Sequence, residues 1–117
     1  MNKPVDEVRF AVEWGYLAEE VYYTCVKNGF WEKGEERNKA EMIALMHSEL
    51  SEALEADRNG NPPDDKIKDF SGLEAELADV VIRILDFSEG FSLDVGNAIL
   101  AKIAYNKKRP FRHGKLF

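Results

Sequence analysis

A chain of 117 residues has the length of one domain, and 44% hydrophobic residues suffice for a core. A net charge of −6 argues against binding to a nucleic-acid polymer, but not against a small anion, because a bound divalent cation reverses the local charge. The single cysteine excludes an internal disulfide, and no apolar run approaches the ~20 residues of a membrane span, so we expect one cytoplasmic domain, residues 1–117, with no membrane partner.

The first predicted helix, from about residue 4 to residue 28, has apolar residues on two roughly opposite sides. One stripe comprises Val8, Ala11, Val12, Gly15 and Tyr22, and the other comprises Phe10, Trp14, Leu17, Val21 and Cys25. Such a helix must be covered on both sides, by the core of the domain and by a partner chain or another element. In so short a chain, this pattern predicts a homo-oligomer.

The second predicted helix runs from about residue 36 to residue 58 and ends at the strong stop signal of residues 59–63. Its predicted core stripe comprises Ile43, Met46, Leu50, Ala53 and Leu54. The polar stretch 64–72 that follows predicts a mobile loop.

A third helix is predicted from about residue 73 to residue 89, with a stripe of Leu77, Val80, Val81 and Ile84. Ser92 is the predicted N-cap of a fourth helix, which has Asp94 in its first turn and reaches about Lys108. No segment alternates with period two for long enough to form a strand. The sequence therefore predicts an all-α, four-helix bundle.

Two acidic pairs recur at matching places in the second and third helices. Glu49 and Glu52 are spaced i,i+3, and so are Glu76 and Asp79. This spacing places both carboxylates of a pair on neighbouring ridges of a helix, within reach of one ion. At about 100° per residue, both pairs fall on the same flank of their helices, beside the core stripe. Two such helices, packed side by side, present four carboxylates to one space.

A solvated position is the ordinary interpretation of a single pair, because this chain has 22 acidic residues. Two matched pairs differ, since four clustered carboxylates repel one another unless cations or protons lie between them. Hard oxygen ligands favour Mg²⁺, with Mn²⁺ as a substitute, over zinc. We therefore predict a metal site formed by Glu49, Glu52, Glu76 and Asp79.

Lys102, Asn106 and Arg109, spaced i, i+4 and i+7, continue the apolar stripe of the fourth helix. Alone, such a row is typical of a snorkelling lysine and of an arginine at a helix C-terminus. Beside a metal site it predicts contacts with phosphate, and Arg109 can bind two oxygens at once.

Other residues leave alternatives open. Trp31 and Phe30 follow the first helix and suit either stacking on a base or packing in the core or an interface. His47 is predicted to be packed or hydrogen-bonded, and Cys25 to be a small apolar interface residue. His113, in the basic tail, is a further candidate for anion binding.

The acidic pairs resemble the signature of the MazG-like all-α nucleoside triphosphate pyrophosphohydrolases. The resemblance rests on Glu49-x-x-Glu52, then Glu76-x-x-Asp79 at helical-hairpin distance, with Lys102-x-x-x-Asn106-x-x-Arg109 behind them. The stretches 29–31, 44–58, 73–86 and 102–117 also look like a small single-domain member, so the resemblance covers nearly the whole chain.

The resemblance implies a homodimer or homotetramer that binds Mg²⁺ and cleaves nucleoside triphosphates to the monophosphate and pyrophosphate, as part of cleaning the nucleotide pool. Most of the acids would then be metal ligands, and Glu52 would hold or deprotonate the attacking water. Lys102 and Arg109 would stabilise the leaving pyrophosphate. The substrate-binding residues would be Trp31, Lys102, Asn106 and Arg109.

Two other functions fit parts of the sequence. A carboxylate-bridged di-iron bundle normally needs Glu-x-x-His pairs, and the two acidic segments contain no such histidine. A non-catalytic helical module that binds a partner or a nucleotide explains the two-sided first helix, but it leaves the clustered acids unexplained.

Overall fold

Four α-helices make up most of the computed structural model, which describes residues 3–32 and 37–110. They are α1 (Glu7–Lys27), α2 (Lys39–Arg58), α3 (Gly72–Gly90) and α4 (Val95–Lys107). Within these ranges the only β-type pairing is an isolated bridge between Pro63 and Ser71. The all-α, four-helix prediction is confirmed. None of the described helices is both long and apolar enough to cross a membrane.

Each helix begins at a residue whose side chain accepts a hydrogen bond from a backbone N–H three residues later. These N-caps are Asp6, Asn38, Ser71 and Asp94. The predicted N-cap Ser92 is wrong, because its φ of 56° lies in the left-handed region, whereas an N-cap normally has an extended backbone. The chain turns at Ser92, and the Asp94 carboxylate then accepts from the N–H of Asn97.

Helix α3 lies at the centre, where it contacts both α2 and α1, and α4 packs against α1. Small side chains dominate the buried positions, so the helices approach closely. The buried apolar residues are Ala18, Met42, Ala53, Ala75 and Leu85.

The predicted stripes of α2 and α3 are only partly covered within one chain, where Ala53 is buried and Met46, Val80 and Ile84 are half-buried. Ile43, Leu50 and Leu54 are 43%, 46% and 54% exposed, and Leu77 and Val81 are 46% and 43% exposed. We call these five residues the apolar face. The buried side of α2 carries Ala53 together with Met42 and Glu49, which the predicted stripe did not include. Small residues such as Ala53 and Ala75 allow the two helices to approach.

Helix α1 is covered on two sides by other helices of the same chain. Trp14 lies against Gly96 of α4, where an added Cβ would come within 2.7 Å of Trp14 Cδ1. Ala18 is buried, and α1 also contacts α3. These contacts leave Val8, Val12 and Leu17 of the two stripes 77%, 46% and 45% exposed. Helix α1 therefore still presents apolar surface to a partner chain, as the apolar face does.

Candidate functional site

Three carboxylates of α2 and α3 meet at the contact between these helices. Glu49, Glu76 and Asp79 each offer one oxygen, and the three oxygens lie within 4.8 Å of one another. Glu49 is only 8% exposed, because it projects from the side of α2 that is buried. The structure thus brings together three of the four acids that the i,i+3 spacing selected.

The Glu49 carboxylate is held by an arginine of α3. Arg83 Nε donates a hydrogen bond to Glu49 Oε1 at 3.0 Å. Burial acts to raise the pKa of Glu49, but the hydrogen bond from Arg83 and the neighbouring carboxyl groups outweigh it and lower that pKa. Glu49 therefore remains ionised around neutral pH.

Glu76 is the acid of the cluster with an unsatisfied hydrogen-bond acceptor. Its Oε2 is buried and has no hydrogen-bond partner among the described residues. Burial, followed by the nearby carboxyl groups of Glu49 and Glu52, raises the pKa of Glu76 to about 7. Burial and the charge of Glu49 also raise the pKa of Asp79. The cluster therefore carries more negative charge than it can stabilise alone, and a proton or a cation relieves it.

Glu52 lies at the edge of this cluster. It is exposed and is not one of the three acids with the closest oxygens. It is near enough to Glu76 to raise the pKa of that group, and it lines the same groove.

A groove of about 600 Å³ runs over the acids, and we call it the acidic groove. Helices α2 and α3 and the loop between them contribute its walls. Its lining residues are Glu49, Glu52, Asp64, Asp65, Lys66, Ile67, Ala75, Glu76, Ala78, Asp79 and Ile82.

A second groove, of about 450 Å³, meets the first one at Glu49, Asp79 and Ile82. We call it the Phe30 groove, after an aromatic side chain that is 59% exposed there. Its lining residues are Cys25, Phe30, Arg37, Leu45, Glu49, Asp79, Ile82, Arg83 and Asp86. The Phe30 groove has mixed polar and apolar walls, whereas carboxylates dominate the walls of the acidic groove.

The loop between α2 and α3 has a hydrogen-bonded fold, although its polar composition predicted mobility. Asp64 Oδ2 accepts from the backbone N–H groups of Lys66 and Ile67 at 3.0 and 2.9 Å. The N–H of Asp64 donates to the carbonyl of Phe70 at 2.8 Å, and Asn61 Oδ1 accepts from the N–H of Leu73. These bonds fix how the loop borders the acidic groove.

Trp31 is packed rather than open to the grooves. Its ring lies against Gly90 and between the rings of Tyr22 and Phe91, each 5.4 Å away between centroids. Its Nε1 donates to Asp86 Oδ1 at 2.8 Å. Of the two alternatives left open for this residue, the surroundings favour packing, and the exposed Phe30 is better placed to stack on a base.

Lys102, Asn106 and Arg109 do not reach the acids within one chain. They line neither groove, because α4 packs against α1. Lys102 Nζ and Arg109 Cζ instead lie 5.4 and 5.6 Å from the centre of the Tyr105 ring. Lys102 and Asn106 lie in α4, and Arg109 follows its C-cap Lys108. Spacing along a helix does not determine which helix a row of side chains meets.

The cations that lie beside the acids are different ones. Arg83 and Arg37 line the Phe30 groove, and Lys66 lines the acidic groove. Arg83 follows Asp79 by four residues, so helical spacing would have placed it on the same flank. Lys66 lies in a loop, where no periodicity points to it.

The sequence also singled out His47, Cys25 and His113. His47 is exposed, so a packed histidine is wrong. Cys25 is half-buried and lines the Phe30 groove; burial, and then Asp86, raise the pKa of its thiol. His113 lies outside the described residues.

Comparisons of the chain with models of protein families, with curated proteins and with solved structures found no match.

Proposed function

We propose that this protein hydrolyses nucleoside and deoxynucleoside triphosphates between the α- and β-phosphates, with Mg²⁺ or Mn²⁺ as cofactor, and releases the monophosphate and pyrophosphate. It would act in the cytoplasm, on the nucleotide pool. The observation that carries the proposal is the meeting of Glu49, Glu76 and Asp79 at the junction of two grooves.

The residues at this junction fit a divalent cation. All three donors are carboxylate oxygens, which Mg²⁺ and Mn²⁺ prefer. The unpartnered Glu76 Oε2 is a buried acceptor with free capacity. A bound divalent cation supplies charge that screens the phosphates and makes a bound water more acidic.

The protein's own side chains have separate tasks in this proposal. Arg83 fixes Glu49 in its ionised form through the 3.0 Å hydrogen bond. Glu52, exposed at the edge of the cluster, would accept a proton from the attacking water. Phe30 would offer an aromatic surface for a base in the adjoining groove.

Self-association belongs to the same proposal. The apolar face leaves five large side chains of α2 and α3 more than 40% exposed. Large apolar side chains that are exposed together on one protein surface often mark an interaction site. A homodimer or homotetramer would cover it, and Lys102, Asn106 and Arg109 would then meet phosphates only if a second copy brought them to the grooves.

The test is hydrolysis of a panel of ribo- and deoxynucleoside triphosphates with Mg²⁺, with separate detection of pyrophosphate and inorganic phosphate. In ¹⁸O-labelled water, we expect the label in the monophosphate, because water attacks the α-phosphorus. Release of inorganic phosphate with a diphosphate product would contradict the cleavage site. Label found only in pyrophosphate would contradict the point of attack. Absence of turnover with every nucleotide, at any Mg²⁺ or Mn²⁺ concentration, would favour a non-catalytic binding module.

A further inference from the structure

The loop between α2 and α3 brings a single ammonium group to the acidic groove. Of the described residues that line this groove, six are acidic and Lys66 alone is basic. The side chain of Lys66 takes part in neither of the two ion pairs of the described residues, which join Arg37 to Asp86 and Arg83 to Glu49. Among the described residues, Lys66 is therefore a charged donor whose ammonium group is not held in an ion pair.

The backbone under Lys66 is fixed by the loop itself. Asp64 Oδ2 accepts from the N–H of Lys66 at 3.0 Å, and the N–H of Phe70 donates to the carbonyl of Ile67 at 3.0 Å. The bridge between Pro63 and Ser71 closes the loop at its base. Lys66 thus lines the groove from a folded support, and its charge acts on Asp79 of α3, whose pKa it lowers in part.

The two grooves give the substrate a direction. The Phe30 groove offers an aromatic and partly apolar wall, which suits a nucleoside, and the acidic groove offers the cation-binding carboxylates, which suit phosphates. They share Glu49 and Asp79, so the α-phosphate belongs near this junction. The β- and γ-phosphates then lie further along the acidic groove, on the side where the loop lies.

We propose that Lys66 binds the β- and γ-phosphates and stabilises the leaving pyrophosphate, an inference that rests on the proposed function. An ammonium group on a flexible stem is a point charge that adapts to several phosphate oxygens. When water adds to the α-phosphorus, the bond to the bridging oxygen breaks, and its electron pair leaves with pyrophosphate. The proton of the water passes to Glu52, and the charge of Lys66 offsets the negative charge that develops on the leaving group.

The experiment compares Lys66→Ala with Lys66→Arg and with Lys68→Ala. Lys68 is the matched control, because it is an exposed lysine of the same loop that does not line the groove. In Lys66→Ala we expect kcat/KM for triphosphates to fall roughly 10- to 100-fold, the scale of losing one hydrogen bond between charged groups. Inhibition by pyrophosphate should weaken by a similar factor, while inhibition by the monophosphate should stay within about twofold of wild type. Lys66→Arg should keep much of the activity.

Other outcomes would overturn this role. If Lys66→Ala behaves like Lys68→Ala in an active enzyme, Lys66 does not bind the leaving group, and the proposed function still stands. If Lys66→Ala changes the Mg²⁺ dependence but leaves pyrophosphate inhibition unchanged, Lys66 only neutralises the acids.

A further measurement distinguishes a wrong proposed function from a wrong role of Lys66. If the wild type has no turnover, calorimetry with pyrophosphate and Mg²⁺ decides the matter. Weaker binding by Lys66→Ala than by Lys68→Ala would keep the phosphate site without the reaction. No binding of pyrophosphate by the wild type would overturn the role of Lys66 as well.

Discussion

At the scale of single residues, Glu76 determines how the site responds to pH. Its usual pKa of 4.5 is raised to about 7 in the folded chain, first by burial and then by Glu49 and Glu52. The folded state then holds a proton that the unfolded state releases, so the free energy of unfolding falls as pH rises from 4.5 to about 7. Above that range the loss is complete. Glu49, with a lowered pKa, acts in the opposite direction, and its contribution disappears only as the solution becomes acidic.

We therefore predict that Glu76→Gln removes most of this loss of stability. Without divalent metal, the melting temperature of the wild type should fall between about pH 5 and about pH 8, and that of Glu76→Gln should change less. Glu55→Gln, at an exposed position of α2 that lines neither groove, is the control and should follow the wild type. Parallel curves for all three proteins would show that Glu76 does not carry the excess proton.

Metal binding should raise the stability that the acidic cluster loses at high pH. At pH 8, millimolar Mg²⁺ or Mn²⁺ should raise the melting temperature, because a ligand at 100 times its Kd adds ~2.7 kcal/mol to the free energy of unfolding. Glu49→Gln and Asp79→Asn should blunt that gain, since each removes a charged oxygen from the cluster. Thermal melts with and without metal check this, and an equal gain in wild type and both variants would count against the site.

Variants of Trp31 and Phe30 should show which of the two aromatic residues packs in the fold and which contacts the substrate. Trp31→Ala removes a half-buried ring and the hydrogen bond to Asp86, so we expect a loss of roughly 2–4 kcal/mol in urea unfolding. Phe30→Ala should cost little stability, because Phe30 is 59% exposed, and should raise KM more than it lowers kcat. A Trp31→Phe protein that is fully stable but has a raised KM would return Trp31 to the role of a stacking residue.

At the scale of helices, the sequence predicted where the helices lie better than it predicted which helices pack against one another. Four helices follow from apolar spacing and stop signals, and the convergence of Glu49, Glu76 and Asp79 follows from two i,i+3 pairs on adjacent helices. Spacing within a helix shows which residues share a face, but not which helix covers it. For this reason the sequence led to the expectation that Lys102, Asn106 and Arg109 lie beside the acids. Within one chain, α4 packs against α1 instead.

The apolar face shows a second limit of predicting helix packing from the sequence. A periodicity count treats leucine and alanine alike, whereas close packing of α2 against α3 depends on small residues such as Ala53 and Ala75. Lys66 shows a third, because its position depends on the hydrogen bonds of a loop. These features depend on contacts between segments, which a single sequence does not display.

The contact between α1 and α4 can be tested with two glycines. A Cβ at position 96 would lie 2.7 Å from Trp14 Cδ1, so Gly96→Ala should cost about 1–3 kcal/mol by overpacking. A Cβ at position 15 meets nothing within 4 Å, so Gly15→Ala should instead add up to ~1 kcal/mol through helix propensity. Urea unfolding measures both, and equal effects would contradict the packing of Trp14 on Gly96.

At the scale of the whole molecule, the apolar face predicts self-association. Sedimentation of the wild type should show a dimer or tetramer of the 13.4 kDa chain. Leu50→Glu combined with Leu77→Glu should shift it to monomer, because a charge within an apolar contact is costly to desolvate. Leu93→Glu is the control, since Leu93 is 50% exposed in the turn before α4. A folded and active wild-type monomer would refute the prediction.

The unpartnered carboxylate oxygen of Glu76 between α2 and α3 also bears on how this protein can evolve. Without metal, substitutions that neutralise Glu76 strengthen the helix contact but weaken the proposed metal site, so heat tolerance and metal binding compete at this position. Selection of random variants for survival of heat in a chelator should therefore enrich uncharged residues at position 76. The same selection with Mg²⁺ present should keep the glutamate, and the contrast between the two libraries would reveal the metal requirement without any enzymatic assay.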